Sequence, residues 1–477
     1  MKLTFGFGSG VQEVTLKEEN LLGVLTGNDV PPGLTGEAEV RRALREPIGS
    51  APLRDIVKPG EKIAIVTSDI TRPMPTYKVM PALLEELYAA GVKKEDITLV
   101  FALGSHRKHT EEEMRKLAGE QAFNEIRCVD SDAEDFVLLG TTTAGTPVEI
   151  TRIVAEADRR ICLGNIEFHY FAGYSGGAKA LMPGVSTRAA IQANHSMMVR
   201  PECCAGALES NPLRMDIEEA GEITGIDFIL NVVLSEKKEI LKAVAGHHVQ
   251  AHRVGCAYLD GLYSKPIREK ADIVLVSQGG APKDLNLYQT QKALDNAKHA
   301  VKNGGIIILI GSCKEGLGEH TFEEWILEAK KPSDLTDRIR REFRLGGHKA
   351  AAIAMVLEYA DIYLVSVMDE NLTTEAFLIP KASAQQALDD AFEKLGPNAT
   401  VLAMPYGGST LPKLKEEYTK CLTKKKSSLA SPPSAGATMI CPNWAARTPS
   451  ARSSAKWHWP ASPAARSATS ILPMLPN

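Results

Sequence analysis

The sequence predicts an α/β fold in which two domains with largely parallel sheets meet at an active-site crevice. Three observations support this prediction: short β-branched runs recur along the chain, segments with helical spacing separate them, and polar clusters follow the runs. Strands that alternate with helices form βαβ units and therefore parallel sheets. Ligands bind beyond the carboxyl ends of such strands, so functional residues are expected in the polar clusters.

Six apolar runs are predicted to be buried strands, and in chain order they are Lys62–Thr67, Ile97–Leu103, Arg160–Asn165, Ile273–Ser277, Gly305–Gly311 and Asp361–Val367. Between them, the apolar residues of Tyr77–Ala90 and Gln289–Lys302 have helical spacing. These elements alternate along the chain, as the predicted fold class requires.

The chain of 477 residues is long enough for two or three domains. We predict an N-terminal cofactor-binding domain over residues 1–268, which 399–417 rejoins, and a second domain over 269–398 that contributes substrate-binding residues. The boundary follows a charged stretch that contains a proline, Tyr263–Lys270. Residues 418–477 are rich in Ser, Ala and Pro and are predicted to be disordered or non-native, with a natural basic tail as the alternative.

Composition and charge disfavour several classes of protein. No apolar run approaches the roughly 18–20 residues of a membrane span, and the first residues lack the features of a secretory signal. The first 417 residues carry a net charge of −12, because eight of the 55 basic residues and none of the 59 acidic residues follow Glu417. An acidic body disfavours nucleic acid as a partner, and the eight cysteines have no zinc spacing. We expect a cytoplasmic protein that acts on small molecules.

Two polar segments follow the first two predicted strands. Asp69 and Arg72 lie in SDITRPMP, where an arginine can bind a carboxylate or phosphate through two parallel hydrogen bonds or can form a loop salt bridge with Asp69. His106 follows the second strand in GSHRKHT. Its imidazole is expected to face the crevice, and the alternative is an ordinary surface histidine.

A Gly-rich segment follows the third predicted strand and contains His169 and Lys179. It lacks the GxxxxGK[ST] spacing of an ATP-binding loop. Lys179 lies among glycines with few charges, so it is either a candidate for covalent chemistry with a lowered pKa or a solvated loop lysine. His195 follows sixteen residues later in the sequence ANHS.

A fourth segment, Tyr288–Lys292, begins a predicted helix after the strand Ile273–Ser277. Gln289 and Lys292 are three residues apart and share one face of that helix. A helix N-terminus with an amide and an ammonium group favours binding of a carboxylate. The alternative is that both are ordinary exposed helical residues.

Together these segments resemble the nickel-dependent lactate racemase family, which includes racemases and epimerases of other 2-hydroxy acids. The resemblance covers nearly all of residues 1–415. It depends on five motifs in order: DxxRP (Asp69, Arg72, Pro73), GSH (His106), HxxxGxSGGxK (His169 to Lys179), His195 sixteen residues later, and YQxxK (Tyr288, Gln289, Lys292).

The resemblance implies a nickel-pincer nucleotide, pyridinium-3-thioamide-5-thiocarboxylic acid mononucleotide, bound covalently to Lys179. His195 would complete the coordination of nickel, since imidazole suits Ni(II) and a pincer plus one nitrogen gives square-planar geometry. Separate cofactor-biosynthesis enzymes would be needed for maturation. The cofactor's phosphate is expected against backbone amides of the Gly-rich turn, at Ser175, Gly176 and Gly177.

By the same resemblance, the reaction inverts C2 of a 2-hydroxy acid through hydride transfer to the pincer and proton transfer from the hydroxyl group. His106 and His169 would handle the proton, one for each enantiomer. Asp69 is expected to orient Arg72 or a cofactor hydroxyl. The substrate carboxylate would be held by Arg72, Gln289 and Lys292, with support from Tyr288.

The sequence departs from the family in the second domain. Lactate-specific members place an aromatic residue over the site, and Trp325 is the only tryptophan there. His348 is either a residue that lines the pocket or a helix cap. If it lines the pocket, the substrate is larger or more polar than lactate, for instance a sugar acid or a hydroxydicarboxylate.

Two other functions remain as alternatives. The first is a protein that binds the nickel-pincer cofactor without catalysis, which would not need both His106 and His169. The second is a metal hydrolase in which these histidines and His195 bind one ion. The hydrolase would leave Lys179 without a role and has no suitably spaced general base.

Overall fold

The computed structural model describes residues 1–28, 33–235 and 237–415. The predicted tail at 418–477 lies outside these residues. Within the described part of the chain, no helix is long and apolar enough to cross a membrane.

The described residues contain twenty strands: β1 (Lys2–Phe7), β2 (Gly10–Thr15), β3 (Leu21–Val24), β4 (Ile63–Ser68), β5 (Ile97–Ala102), β6 (Arg127–Asp130), β7 (Phe136–Thr141), β8 (Pro147–Thr151), β9 (Arg159–Asn165), β10 (Phe168–His169), β11 (Gly173–Tyr174), β12 (Phe228–Leu234), β13 (Ile240–Gly246), β14 (Ser264–Ile267), β15 (Ala271–Ser277), β16 (Val301–Ile310), β17 (Ala360–Val365), β18 (Ile379–Lys381), β19 (Val401–Met404) and β20 (Leu411–Leu414). The six predicted strands are confirmed as β4, β5, β9, β15, β16 and β17.

The same residues contain fifteen α-helices: α1 (Gly36–Arg45), α2 (Leu53–Ile56), α3 (Thr76–Ala89), α4 (Glu111–Ala118), α5 (Glu120–Glu125), α6 (Arg152–Ala155), α7 (Arg188–His195), α8 (Pro212–Thr224), α9 (Gln250–Tyr263), α10 (Leu287–Ala297), α11 (His320–Glu328), α12 (Pro332–Arg341), α13 (Gly347–Leu357), α14 (Glu370–Glu375) and α15 (Ala384–Leu395). Both predicted helices are present, as α3 and α10.

The first sheet has the strand order β13-β12-β9-β4-β5-β6. Only β12 and β13 pair antiparallel; the other neighbours are parallel. The chain runs outward from β4 through β5 to β6 and then returns to β9 on the other side of β4. This change of direction opens a crevice beyond the ends of β4 and β9, where the motif segments of this half begin.

The second sheet has the order β18-β17-β16-β15-β19-β3, and all of its neighbours are parallel. Its change of direction lies between β15 and β19, next to the loop that leads to α10. The predicted α/β class with largely parallel sheets is confirmed.

Strand pairing differs from the predicted domain ranges in two places. β3 and β19 lie inside the ranges 1–268 and 399–417 predicted for the first domain, yet both pair within the second sheet. One edge of β15 pairs with β16, and β19, whose residues VLAM are all buried, pairs with the other edge. This pairing places β19, and β3 beside it, in the second sheet. The domain boundaries otherwise stay a prediction.

Both faces of each sheet are covered, as buried parallel strands require. Side chains of a strand alternate between faces, so Val66 and Val274 join one apolar core that includes residues of both sheets. Their neighbours Ile65 and Leu275 point to two separate outer cores. The described residues thus belong to one compact unit.

Capping side chains fix where three helices near the crevice begin. Thr187 accepts a hydrogen bond from a backbone N–H of α7, Asn211 from one of α8 and Asn286 from one of α10, at 3.0 to 3.2 Å. Such a cap contributes about 1 kcal/mol to helix stability. The cap of α10 sets the position of the Tyr288–Lys292 motif.

Candidate active site

The loops after β4 and β5 form an Asp–His pair. Asp69 Oδ2 lies 2.6 Å from His106 Nδ1, and the Thr71 hydroxyl donates to Asp69 Oδ1 at 2.9 Å. Burial alone would raise the pKa of Asp69, but the hydrogen bonds from His106 and Thr71 and the charges of His106 and Arg72 together lower it. Among the described residues Asp69 forms this pair and no ion pair with Arg72, and its predicted contact with a cofactor hydroxyl stays a prediction. With Nδ1–H donated to Asp69, Nε2 of His106 is left to exchange a proton.

A second buried histidine in the same loop, His109, holds the backbone that carries Asp69. Its Nδ1 lies 2.6 Å from Asp130 Oδ1, and its Nε2 accepts the Ile70 N–H at 3.0 Å. Asp130 also accepts the backbone N–H of His109 at 2.8 Å. The sequence contained His109 within GSHRKHT, but nothing in its spacing identified this positioning role.

His169 lies on β10, directly after the end of β9. Its Nδ1 accepts the Ala172 N–H at 3.3 Å, and its ring stacks on Tyr170 at 5.5 Å. Burial, together with the nearby positive charges of Lys179 and Arg72, holds the pKa of His169 well below its usual value. Because Nδ1 accepts this hydrogen bond, the proton of the neutral ring lies on Nε2. The ring can accept a further proton by giving up its long contact with the Ala172 N–H.

Lys179 lies in a short 3-10 helix, Gly177–Ala180, that follows the Gly-rich turn. No carboxylate of the described residues is within ion-pair distance of its amine, which lies 5.8 Å from the centre of the Phe171 ring. Burial, with the charges of Arg72 and Arg214, holds the pKa of Lys179 well below its usual value. A neutral amine is the form that can be acylated.

Packing contacts explain the glycines of the turn before Lys179. The Gly177 N–H donates to Asn231 Oδ1 at 2.7 Å. A Cβ on Gly176 would lie 2.7 Å from the same oxygen, and one on Gly177 would lie 2.9 Å from Arg214 Nη2. The Ser175 hydroxyl donates to a backbone carbonyl at 2.7 Å. These contacts hold the turn, and its predicted contact with a cofactor phosphate stays a prediction.

A buried hydrogen-bond chain orients His195, the last residue of α7. Its Nδ1 lies 2.9 Å from Asn194 Oδ1, and Asn194 donates to Asp216 at 2.7 Å. The hydroxyls of Thr142 and Thr146 donate to the same carboxylate at 2.5 and 2.7 Å. Nδ1–H is thereby committed and Nε2 is left free, which is the tautomer that a metal ligand needs. Asn194 could have been suspected from its place beside His195, whereas Asp216 left no signal in the sequence.

The second half of the site is built at the start of α10. Lys349 donates to the backbone carbonyl of Tyr288 at 2.5 Å, and its ammonium lies 3.9 Å from the centre of the Tyr288 ring. Burial and the charge of Lys292 hold the pKa of Lys349 well below its usual value. Burial also raises the pKa of Tyr288 to about 12. Gln289 and Lys292 lie on the same helix, one and four residues after Tyr288.

An aromatic residue of the second half covers His195. The ring of Phe343 meets the His195 ring edge-on at 4.7 Å, and the Phe343 N–H donates to the side chain of Gln192. Trp325, the only tryptophan of the predicted second domain, is fully buried, and Arg338 lies over its ring. The residue type expected at this place was tryptophan, so the sequence did not reveal Phe343.

His348 lies in the first turn of α13, where it contacts the start of that helix as one of the two alternatives predicted; its place in a substrate pocket stays a prediction. Its Nδ1 accepts the Gly346 N–H at 3.0 Å, and its ring stacks on Tyr170 at 5.9 Å. Burial, with the nearby charge of Lys349, lowers the pKa of His348 to about 3. The residue thus contacts both the start of α13 and Tyr170, whose ring stacks on His169.

Arg72 lies where the two halves meet. Its guanidinium is exposed and makes no hydrogen bond or ion pair with any described residue. Burial is the main cause that lowers the pKa values of four nearby side chains, and the positive charge of Arg72 is a further cause. These side chains are Lys179 and His169 in one half and Lys292 and Lys349 in the other. A guanidinium without a partner in this place can bind an anion.

The three histidines of the site do not converge on a single ion. Across residues 1–28, 33–235 and 237–415, the one group of three or more metal-ligating side chains with donor atoms within 4.8 Å of one another lies elsewhere. The hydrolase alternative requires one ion held by His106, His169 and His195, and the described side chains do not bring these three together as one such group.

Two family models match the chain: the lactate racemase N-terminal domain over residues 7–206 and the lactate racemase C-terminal domain over residues 267–411. A lactate racemase from Thermoanaerobacterium thermosaccharolyticum is 32% identical over 417 residues, which cover 85% of this chain and 97% of that protein. The chain belongs to the lactate racemase family. It is therefore an isomerase of the racemase type.

Further relatives agree with this family assignment. A lactate racemase from Lactiplantibacillus plantarum is 32% identical over 78% of this chain and 90% of its own length. The structure of the Thermoanaerobacterium lactate racemase apoprotein superposes with a TM-score of 0.76 over 87% of this chain and 100% of that chain. A Thermotoga maritima protein, 20% identical with a TM-score of 0.56 over 80% of this chain and all of its own, shows the fold alone.

Proposed function

We propose that this enzyme inverts C2 of a 2-hydroxy acid, lactate or a larger relative, with a nickel-pincer nucleotide attached to Lys179. The observation that carries the proposal is the pairing of an amine without a carboxylate partner at Lys179 with an oriented imidazole at His195. Both groups lie against the Phe171 ring: the amine of Lys179 is 5.8 Å and the centre of the His195 ring 4.9 Å from the centre of that ring. Both lie in the half of the site that also holds His106 and His169.

The residues fit such a cofactor. Acylation of Lys179 would remove a charge that burial disfavours, and the free Nε2 of His195 suits Ni(II). Lys179 would hold the nucleotide as a thioamide, and His195 would bind its nickel. When bound, the cofactor would supply a hydride acceptor for the substrate carbon.

His106 and His169 are the proposed proton handlers. Asp69 fixes the tautomer and the orientation of the His106 ring, as a carboxylate does for a catalytic histidine. His169 is kept neutral by burial and nearby cations, so it can take the hydroxyl proton. The two residues follow different strands, and we infer that each serves one enantiomer, with roles that exchange with the direction of reaction.

Cations without carboxylate partners are the proposed anchors of the substrate. Arg72 would hold the carboxylate through two parallel hydrogen bonds, with Gln289 and Lys292 beside it. Lys349 contacts the Tyr288 carbonyl and His348 stacks on Tyr170, and we infer from these additional polar groups a 2-hydroxy acid larger or more polar than lactate. Desolvation lowers the pKa of Lys292 despite the opposing charge of Glu167, so a bound anion would stabilise its charged form.

The oriented Asp69–His106 pair favours catalysis over simple storage of the cofactor, since a storage protein needs no oriented base. Maturation would require cofactor-biosynthesis enzymes in the same compartment, which we take to be the cytoplasm. No nucleic-acid or membrane partner is part of the proposal.

Protein produced together with the cofactor-biosynthesis enzymes should be incubated with single enantiomers of lactate, malate and sugar acids, and the products separated by chiral chromatography. We expect at least one acid to lose its enantiomeric excess, and no change with apoprotein from a host that lacks those enzymes. Fully loaded protein that inverts none of the acids would contradict the proposal.

A further inference from the structure

A second cluster of metal-ligating side chains lies outside the site described above. Glu222 of α8 and the residues His247 and His248, which follow β13, have ligand atoms within 4.8 Å of one another. His248 Nε2 lies 3.1 Å from Glu222 Oε1, and the two imidazole rings stack at 4.8 Å. Glu222 is exposed while His248 is only 4% exposed, so the cluster opens to solvent on the glutamate side.

The buried nitrogen of this cluster lacks a hydrogen bond. His248 Nε2 is inaccessible to solvent, and its approach to Glu222 does not have hydrogen-bond geometry. Buried polar atoms without a partner are rare in folded proteins and need an explanation. A cation between the nitrogen lone pair and the carboxylate would satisfy both.

The position of Glu222 supports the same conclusion. It lies in the last turn of α8, where the helix dipole is negative, and that turn has no basic residue. A carboxylate is unfavourable at a helix C-terminus unless a positive charge lies nearby. The two histidines provide that charge only if they are protonated or hold a cation.

Each histidine offers one ring nitrogen to the cluster, and an imidazole binds a metal ion through the lone pair of such a nitrogen. His247 Nδ1 accepts the Val249 N–H in a long contact of 3.2 Å. Metal binding through Nε2 of His247 would give up that weak hydrogen bond.

We propose that Glu222, His247 and His248 bind a divalent transition-metal ion, Zn²⁺ or Ni²⁺, at a site separate from the active site. Two imidazoles and one carboxylate are a donor set that suits these ions, and water would take the remaining position on the exposed side.

An ion in this place would brace the segment that carries Lys179. Gly221, the neighbour of Glu222, packs between the two regions: a Cβ on Gly221 would lie 2.8 Å from Ala178 Cβ and 3.7 Å from His248 Cδ2. Helix α8 also carries Asp216, which orients His195 through Asn194. Nickel content alone would then overstate the loading of the active site, because two sites would contribute.

The test uses full-length apoprotein from a host without the cofactor-biosynthesis enzymes, stripped with a chelator and titrated with Zn²⁺ by calorimetry. We expect one tight site in the unsubstituted protein and in His195→Ala. Glu222→Gln and His247→Ala should each weaken binding at least about tenfold, since loss of even an outer-shell partner costs 10- to 100-fold. His320→Gln, at an exposed histidine elsewhere, should bind as the unsubstituted protein does.

Thermal unfolding provides a second readout that does not depend on calorimetry. Zn²⁺ should raise the melting midpoint of the unsubstituted protein and of His195→Ala, but not that of Glu222→Gln, whose exposed side chain leaves folding intact. Absence of stoichiometric binding in the unsubstituted protein, or equal affinity in Glu222→Gln, would overturn the proposal. Neither result bears on the proposed function, because the protein tested carries no nucleotide.

Discussion

The two halves of the active site are held together in different ways. In the half built on the first sheet, hydrogen bonds fix His106 through Asp69 and His195 through Asn194. In the half built on the second sheet, Lys349 contacts a carbonyl and an aromatic ring, with no carboxylate within ion-pair distance among the described residues. We infer from this difference that the first half suits the proposed metal and proton chemistry and that the second half suits the proposed binding of an anion.

Replacing Lys179 should have the largest effect of all the substitutions considered, because the first half would lose the residue to which the nucleotide is proposed to be attached. Lys179→Ala should abolish both the mass adduct and turnover in protein matured with the cofactor-biosynthesis enzymes. Lys330→Ala, on an exposed loop, should keep both. An intact-mass measurement that finds the adduct in Lys179→Ala would remove the residue from its proposed role.

His106→Gln and His169→Gln should each reduce kcat by about 10²- to 10⁴-fold, the usual contribution of a general acid or base. The adduct and nickel should remain, since neither residue is proposed to hold the cofactor. Steady-state rates measured from each enantiomer, with His320→Gln as the control, test this point. Unchanged rates in either variant would show that the replaced histidine is not a general acid or base in this reaction.

Breaking the buried chain behind His195 should loosen the metal without removing the nucleotide. Asn194→Ala is expected to weaken nickel retention about 10- to 100-fold, as loss of an outer-shell hydrogen bond does. Nickel release to a chelator and intact mass should be measured on the same preparation, beside the surface variant Asn124→Ala. Simultaneous loss of adduct and nickel would indicate a folding defect instead.

Changes to the proposed anion anchors, Arg72 where the two halves meet and Lys292 in the second half, should act on substrate binding. Arg72→Lys keeps the charge but loses the paired hydrogen bonds, which are worth about 1.5–3 kcal/mol, so KM should rise by about one to two orders of magnitude. Lys292→Met should raise KM in the same direction. A fall in kcat at constant KM would show that these residues act in the chemical step, and it would contradict their proposed role in substrate binding.

The smallest expected effect concerns stability at acid pH. The pKa of Asp69 is lowered in the folded protein, so its contribution is present above its unfolded pKa of about 3.9 and is lost as pH falls through the folded value. Asp69→Asn should therefore flatten the fall in unfolding free energy below about pH 4. Denaturant titrations between pH 3 and 7 measure this, and the exposed Asp55→Asn should behave as the unsubstituted protein does.

The strands and their polar ends could be predicted because local periodicity and turn residues encode them. β4, β5 and β9 lie within two residues of their predicted bounds, and the motif residues follow them directly. The pairing of β3 and β19 with the second sheet could not be predicted, because the choice of neighbour depends on which edge of β15 is free. No local pattern specifies that edge.

The same limit applies to the site. His106, His169, Lys179 and His195 were predictable because motif spacing along the chain identifies them. Their supports come from distant segments, such as Asp216, which is 21 residues after His195 and joins it only through a folded hydrogen-bond chain. Such supporting residues have no fixed spacing from the residue they orient, so no sequence motif identifies them.

The most direct test of hydride transfer at C2 is the fate of the C2 hydrogen during inversion. A single enantiomer of an accepted 2-hydroxy acid, deuterated at C2, should be incubated with matured enzyme in ordinary water and the inverted product analysed by mass spectrometry. The account predicts that the product keeps its deuterium, because hydride does not exchange with solvent. Inverted product that carries hydrogen from water at C2 would contradict it and would indicate proton abstraction from carbon.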